Sequence, residues 1–159
     1  MTEMLLLACG NPLRGDDAFG LHLAAAARER FPAEQLHVIA AQQWTPEMAA
    51  EVARARVVVF ADTAVTSPAG EVELTLLEPD RMQGLQNTSV LRASHHMTPE
   101  HLLACAQAWY GRRPSRAYLL IAGAVALECA EELSPRIEGH ALPFALRLLD
   151  GLLIASVAR

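Results

Sequence analysis

Met4-Leu5-Leu6-Leu7-Ala8-Cys9-Gly10-Asn11-Pro12-Leu13-Arg14-Gly15-Asp16-Asp17-Ala18-Phe19-Gly20 runs from an unbroken apolar stretch, through glycines and a proline, into an Ala-rich segment. The apolar part does not alternate. A strand covered on both faces has this pattern, as in a parallel sheet held between helix layers. Val57–Ala61 and Tyr118–Ala122 repeat it, and Leu36–Ala40 is a weaker fourth case. Val72-Glu73-Leu74-Thr75-Leu76 alternates cleanly instead. That is the mark of a half-exposed edge strand, and antiparallel pairing suits it.

Helical segments separate these strands. One runs from Asp17 to about Arg30. Others open at Thr45-Pro46-Glu47, at Thr98-Pro99-Glu100 and at Ser134-Pro135. Each of the three openings offers a hydroxyl to cap free N–H groups, and a proline where its missing donor costs nothing. Spacing places Leu102, Leu103, Ala106, Trp109 and Tyr110 on one core stripe, and Ile137, Ala141, Phe144, Leu148 and Leu152 on another. Pro143 should kink the last helix by clashing with the Gly139 carbonyl. The order β-α-β-α-β-β-α-β-α predicts a three-layer α/β/α sandwich. Its sheet is mostly parallel, with about five strands and right-handed crossovers. Residues 1–159 read as a single domain. The polar loop from Glu78 to His95 is long enough to suggest a functional role.

With 159 residues the chain buries enough surface to fold without disulfides or a structural metal. A hydrophobic share of 52% against 19% charged excludes a disordered chain or a coiled coil. The net charge is −5 and every basic residue besides histidine is Arg, which argues against a nucleic-acid or polybasic membrane footprint. Cys9, Cys105 and Cys129 are far apart and odd in number, so they read as buried thiols of a cytoplasmic protein. The first apolar run lacks a basic flank and reads as a strand, not a signal peptide. Arg147 and Asp150 interrupt the apolar C-terminal segment, which argues against a membrane span.

In an open parallel sheet, sites form beyond the carboxyl ends of the strands. After the first strand comes the Gly10–Gly20 loop, after the third comes Asp62, and the long loop ends in Ser94-His95-His96. The first loop lacks both GxGxxG and GK[ST], and Asp16 and Asp17 would repel a phosphate. The competing reading has one of them capping the helix. Two carboxylates and an imidazole at one sheet edge fit a borderline divalent ion such as nickel or zinc. His22, His37 and His140 read as structural. No GxSxG marks a serine hydrolase, and Cys9 sits within a strand.

Residues Gly10 to Gly20 resemble the G-N-x-L-x-x-D-D/E-x-x-G opening of the hydrogenase maturation endopeptidases. Phe60-Ala61-Asp62-Thr63-Ala64 is similar to that family's strand-end Asp, and Ser94-His95-His96 to its Ser-x-His before a helix. Leu120-Ile121-Ala122-Gly123, Glu128 and Leu133-Ser134-Pro135 resemble its last strand and the start of its C-terminal helix. The resemblance spans nearly the whole chain. It implies one hydrogenase maturation protease domain that removes the C-terminal extension of a nickel–iron hydrogenase large-subunit precursor after nickel insertion. It carries a metal-binding and catalytic triad to Asp17, Asp62 and His96, with nickel supplied by the substrate. Neither nucleotide nor flavin is expected, nor is a nucleic-acid or membrane partner. Gln42-Gln43-Trp44-Thr45-Pro46-Glu47 stands where many members carry Asp-Gly-Gly-Thr, which removes a carboxylate there. Asp17 stands where some relatives have Glu, shortening its reach. Asp16 is expected to cap the helix or orient Asp17. The same triad would also serve a non-catalytic module that checks nickel during hydrogenase assembly, so that alternative stays open, as does the choice between metal-activated water and a carboxylate base.

Overall fold

The structure is a computed structural model and describes residues 2–78 and 97–158. Its sheet has the order β2-β1-β3-β5-β4, formed by β1 (Thr2–Cys9), β2 (Leu36–Ala41), β3 (Ala55–Ala64), β4 (Val72–Leu76) and β5 (Arg116–Gly123). β2, β1, β3 and β5 run parallel, and the edge strand β4 runs antiparallel to β5. Every strand lies where the hydrophobic pattern places it.

The strands divide the core in two. Met4, Leu6 and Ala8 of β1 point to one face, where they meet α1 (Phe19–Arg30) and α4 (Leu142–Val157). Leu5, Leu7 and Cys9 point to the other, toward α2 (Ala49–Arg54) and α3 (Pro99–Tyr110). Because both faces are covered, β1 must be apolar at every position from Met4 onward. The chain leaves β1 for β2 on one side and returns for β3 on the other, so the loops after β1 and β3 part from each other. That divergence makes a crevice at the carboxyl edge of the sheet.

Local chemistry departs from expectation at the helix starts. Thr98 caps α3, its Oγ1 accepting from the His101 N–H at 3.2 Å. Thr45 makes no such bond; Pro46–Met48 form a single 3₁₀ turn before α2. Ser134 turns its hydroxyl to a different partner, described below. The first helix is also shorter than expected, because Gly15–Ala18 form a 3₁₀ turn ahead of α1.

The last helix corrects the predicted core stripe. A π turn over Ile137–Ala141 inserts one extra residue per turn just before Pro143. The turn absorbs the proline, and it moves the inward face on by one position. Ile137 and Ala141 are buried as expected, but Ala145, Leu149 and Leu153 follow them, while Phe144, Leu148 and Leu152 are only half-buried. By length and composition Ile137–Val157 is long and apolar enough to cross a membrane; its inward face packs in the core. Arg30 of α1 pairs with Asp150 of α4 at 3.3 Å. The α3 stripe also ends early. Leu102, Leu103 and Ala106 are buried, whereas Trp109 and Tyr110 on the last turn are at least half exposed among the described residues. Of the three cysteines only Cys9 is buried; Cys105 is half-buried and Cys129 exposed.

Gly20, at the start of α1, crosses close over the ends of β1 and β3. A side chain there would collide with the Cys9 carbonyl oxygen and come within 3.2 Å of that of Ala61. Both neighbours are sheet backbone and cannot yield. Gly20→Ala should therefore lower stability by about 1–3 kcal/mol, the usual cost of overpacking a rigid site, read as a lower urea midpoint at unchanged slope.

Candidate functional site

Asp16 organises the carboxyl edge. Its side chain is fully buried, yet it makes no helix cap. Oδ2 accepts from the Val125 N–H at 2.9 Å, the Ala126 N–H at 2.8 Å and the Ser134 hydroxyl at 2.8 Å; Oδ1 accepts from the Ser134 N–H at 2.7 Å. One carboxylate thus ties the loop after β1 to the loop after β5 and to the start of the last helical segment. Burial by itself would raise its pKa, but these four donors outweigh burial and hold the carboxyl below its ordinary range. The expectation that Asp16 caps the helix is corrected here, since it caps none; as an anchor of the loop it holds the neighbouring Asp17 in place.

Backbone contacts reinforce the tie. Gly15 and Asp16 donate to the carbonyls of Ala130 and Ala126 at 2.9 and 3.0 Å, and Ala130 donates to Leu13 at 3.1 Å. Gly15 has φ +54, and a side chain there would press on the Ala126 carbonyl. Thr63 completes the link, its hydroxyl donating to the Asp16 carbonyl at 3.0 Å.

Fixed in this way, the loop presents Asp17 beside Asp62. Asp17 lies half-buried in the 3₁₀ turn, its N–H donating to the Arg14 carbonyl at 3.1 Å. Asp62 is half-buried near the end of β3, in register with Ile121, and accepts from the Thr63 N–H at 2.7 Å. The two carboxylates are close enough to interact. Burial first, and the Asp17 charge in addition, push the Asp62 carboxyl above its usual pKa, while the Thr63 N–H and the Cys9 thiol pull the other way. Cys9, facing Asp62 from the end of β1, is driven far above the ordinary thiol range by burial and by both carboxylates. It stays protonated at neutral pH and is no nucleophile.

Of the three expected residues, Asp17 and Asp62 lie at this edge, near enough for the Asp17 charge to act on Asp62. His96, the third, lies outside the described residues, as do Ser94, His95 and the loop from residue 79 onward. Among the described residues no group of three His, Cys, Asp or Glu is arranged to hold a metal. The two carboxylates alone offer oxygen donors that suit a divalent cation and would relieve their mutual repulsion. Gln42 and Gln43, in place of an acidic residue, are exposed. Trp44 beside them is buried, edge-on to Phe60 at 5.4 Å between ring centroids. Thr63 and Ser134 escaped the reading of the sequence, since nothing local marks a hydroxyl that serves a carboxylate far away in the chain.

No family model matches the sequence, and no curated protein is similar to it. Solved structures do match. The hydrogenase maturating endopeptidase HybD from E. coli is 21% identical, with 97% of this chain and 93% of that one covered at a TM-score of 0.74. A hydrogenase 2 maturation peptidase from a Thaumarchaeota archaeon is 26% identical over 95% and 97% of the two chains, at 0.66. The nickel–iron hydrogenase maturation protease HycI from Thermococcus kodakarensis is 21% identical over 96% and 92%, at 0.68. The resemblance carried by the Gly10–Gly20 stretch is thus matched in three dimensions: hydrogenase maturation peptidases share this chain's fold almost from end to end.

Asp16→Asn should cost about 3 kcal/mol, because an amide cannot accept from all four donors and brings an N–H of its own against them. The sign with pH follows from the lowered pKa. The anchor's contribution is complete above the ordinary carboxylate value of 3.8 and is lost as pH falls from there through the lower folded value. Urea titrations from pH 7 down to pH 2 should show the gap between wild type and Asp16→Asn closing only below about pH 4.

Proposed function

We propose that this chain is a hydrogenase maturation endopeptidase, which removes the C-terminal extension of a nickel–iron hydrogenase large-subunit precursor in the cytoplasm once nickel is in place. The observation that carries the reading is the Asp17–Asp62 pair at the switch point of a fold shared with hydrogenase maturation peptidases. Nickel belongs to the substrate in this reading. It arrives on the precursor's own thiolates, and the two carboxylates, with His96 as third partner, recognise it and bring the scissile bond to the crevice. Holding the bond in place is itself worth several kcal/mol of barrier.

The two carboxylates differ in a way that divides their roles. Asp62, with its raised pKa, holds a proton more strongly than an ordinary carboxylate and is the better general base for the attacking water. Asp17 is fixed through the Asp16 anchor on a separate loop; its charge adds to the effect of burial on Asp62, and it offers an oxygen toward the metal. Cys9 takes no covalent part, its thiol being held protonated.

Purified protein and nickel-loaded precursor should yield a shortened large subunit in a gel-based assay. Asp62→Asn, Asp17→Asn and His96→Ala should each slow single-turnover processing by about 100-fold or more, with far-UV circular dichroism unchanged. Cys9→Ala should process at a rate on the order of wild type. If the wild-type protein binds the precursor and never shortens it, the chain is a nickel-checking module; if the triad variants process normally, the site assignment fails.

A further inference from the structure

At the opposite end of the strands lies a second constellation. The starts of β3 and β5 and the last turns of α4 border an open cavity of about 370 Å³, within the size range of small-molecule sites. Arg56 and Arg116 both line it, with Ser115, Tyr118, Leu152 and Ser156. The strand register sets Val57 opposite Arg116, so the two guanidinium groups spring from neighbouring strands. Ser115 locks those strand starts together, its N–H and hydroxyl both donating to the Arg56 carbonyl at 2.8 and 2.9 Å.

The charges there are not balanced. Arg56 spends one donor on Glu3, Nη1 to Oε1 at 3.0 Å, and keeps its others. Arg116 has no acidic partner among the described residues. Among the described residues the cavity lining thus sets two guanidinium groups against one paired carboxylate, in a chain whose net charge is −5. Guanidinium groups match carboxylate and phosphate oxygens in paired bonds, where an ammonium would act as a point charge. The rest of the lining is suited to an organic body: Tyr118 and Leu152 supply apolar surface. A neighbouring hollow of about 190 Å³ shares Ser115 and Arg116 and adds apolar Leu76, Leu103 and Ala117 together with the oppositely charged Arg113 and Glu78.

We propose that this cavity is a binding site for a compact organic anion, its carboxylate or phosphate held by Arg116 and Arg56 and its apolar body packed on Tyr118 and Leu152. The length of β3 sets the site about 20 Å from Asp62. Its occupant touches neither carboxylate of the crevice, and the proposal stands whether or not the chain is a peptidase.

The full-length protein, labelled with ¹⁵N, is titrated with inorganic phosphate, phenyl phosphate, benzoate and a short Glu-rich peptide. Phenyl phosphate or benzoate should shift the amides of Arg56, Val57, Arg116 and Tyr118 in a saturable way and bind more tightly than inorganic phosphate. Which of the two binds better identifies the head group. Arg116→Gln should weaken binding about tenfold, the loss of one charge-assisted contact. Arg116→Lys should recover part of it, and Arg54→Gln, outside the cavity, should change nothing. Arg116 is exposed, and an unchanged melting temperature certifies each variant's fold. Shifts that never saturate, affinity indifferent to Arg116→Gln, or binding of the peptide alone would overturn the proposal.

Discussion

A buried carboxylate with four donors around it is the interaction on which the carboxyl edge depends. Asp16 could not be placed in the interior without them, since an ionised group stripped of water and left unpaired is prohibitively costly. Each donor comes from the distal part of the chain: Val125, Ala126 and, twice, Ser134. The anchor thus converts a glycine-rich loop, which would otherwise wander, into a rigid platform. The positions of Asp17 and, through Thr63, of the end of β3 follow from it.

The sheet topology supplies the other half. Because β1 feeds β2 on one side and β3 returns on the other, the loops after β1 and β3 separate and leave their carboxylates facing one crevice. Half-burial then sets the chemistry. Partial removal from water disfavours the charged form of Asp62, and the Asp17 charge adds to this, so the Asp62 carboxyl keeps its proton to higher pH than usual. The same confinement that makes Asp62 basic suppresses the thiolate of Cys9. A pair in this condition favours the approach of a cation, which would relieve the repulsion between the two charges.

Much of this was legible in the residues alone. The non-alternating runs located the parallel strands, the alternating run located the antiparallel edge, and the residues following β1 and β3 located the two carboxylates. What escaped was whatever depends on distant partners. Asp16 and Asp17 are indistinguishable as neighbours in sequence; only the presence of Ser134 and the Val125–Ala126 turn tells anchor from site residue. Three hydroxyl–proline openings look alike, yet Thr98 alone caps its helix, because Ser134 is claimed by Asp16 and Thr45 precedes a 3₁₀ turn. Helical spacing placed Phe144, Leu148 and Leu152 inward, and one extra residue in a π turn replaced them with Ala145, Leu149 and Leu153.

The reach of the Asp16 anchor bears on how the protein is made. Its bonds to Ser134 span 118 residues, so they close one of the longest loops the chain contains. Contacts of such high order form late, after the entropy of the intervening polypeptide has been overcome. A nascent chain on the ribosome can assemble β1, α1 and β2 early, but it holds an unsatisfied carboxylate until the segment beyond β5 emerges. The crevice therefore comes into being late in synthesis, and a product truncated at the end of β5 would lack the platform even with both crevice carboxylates in place.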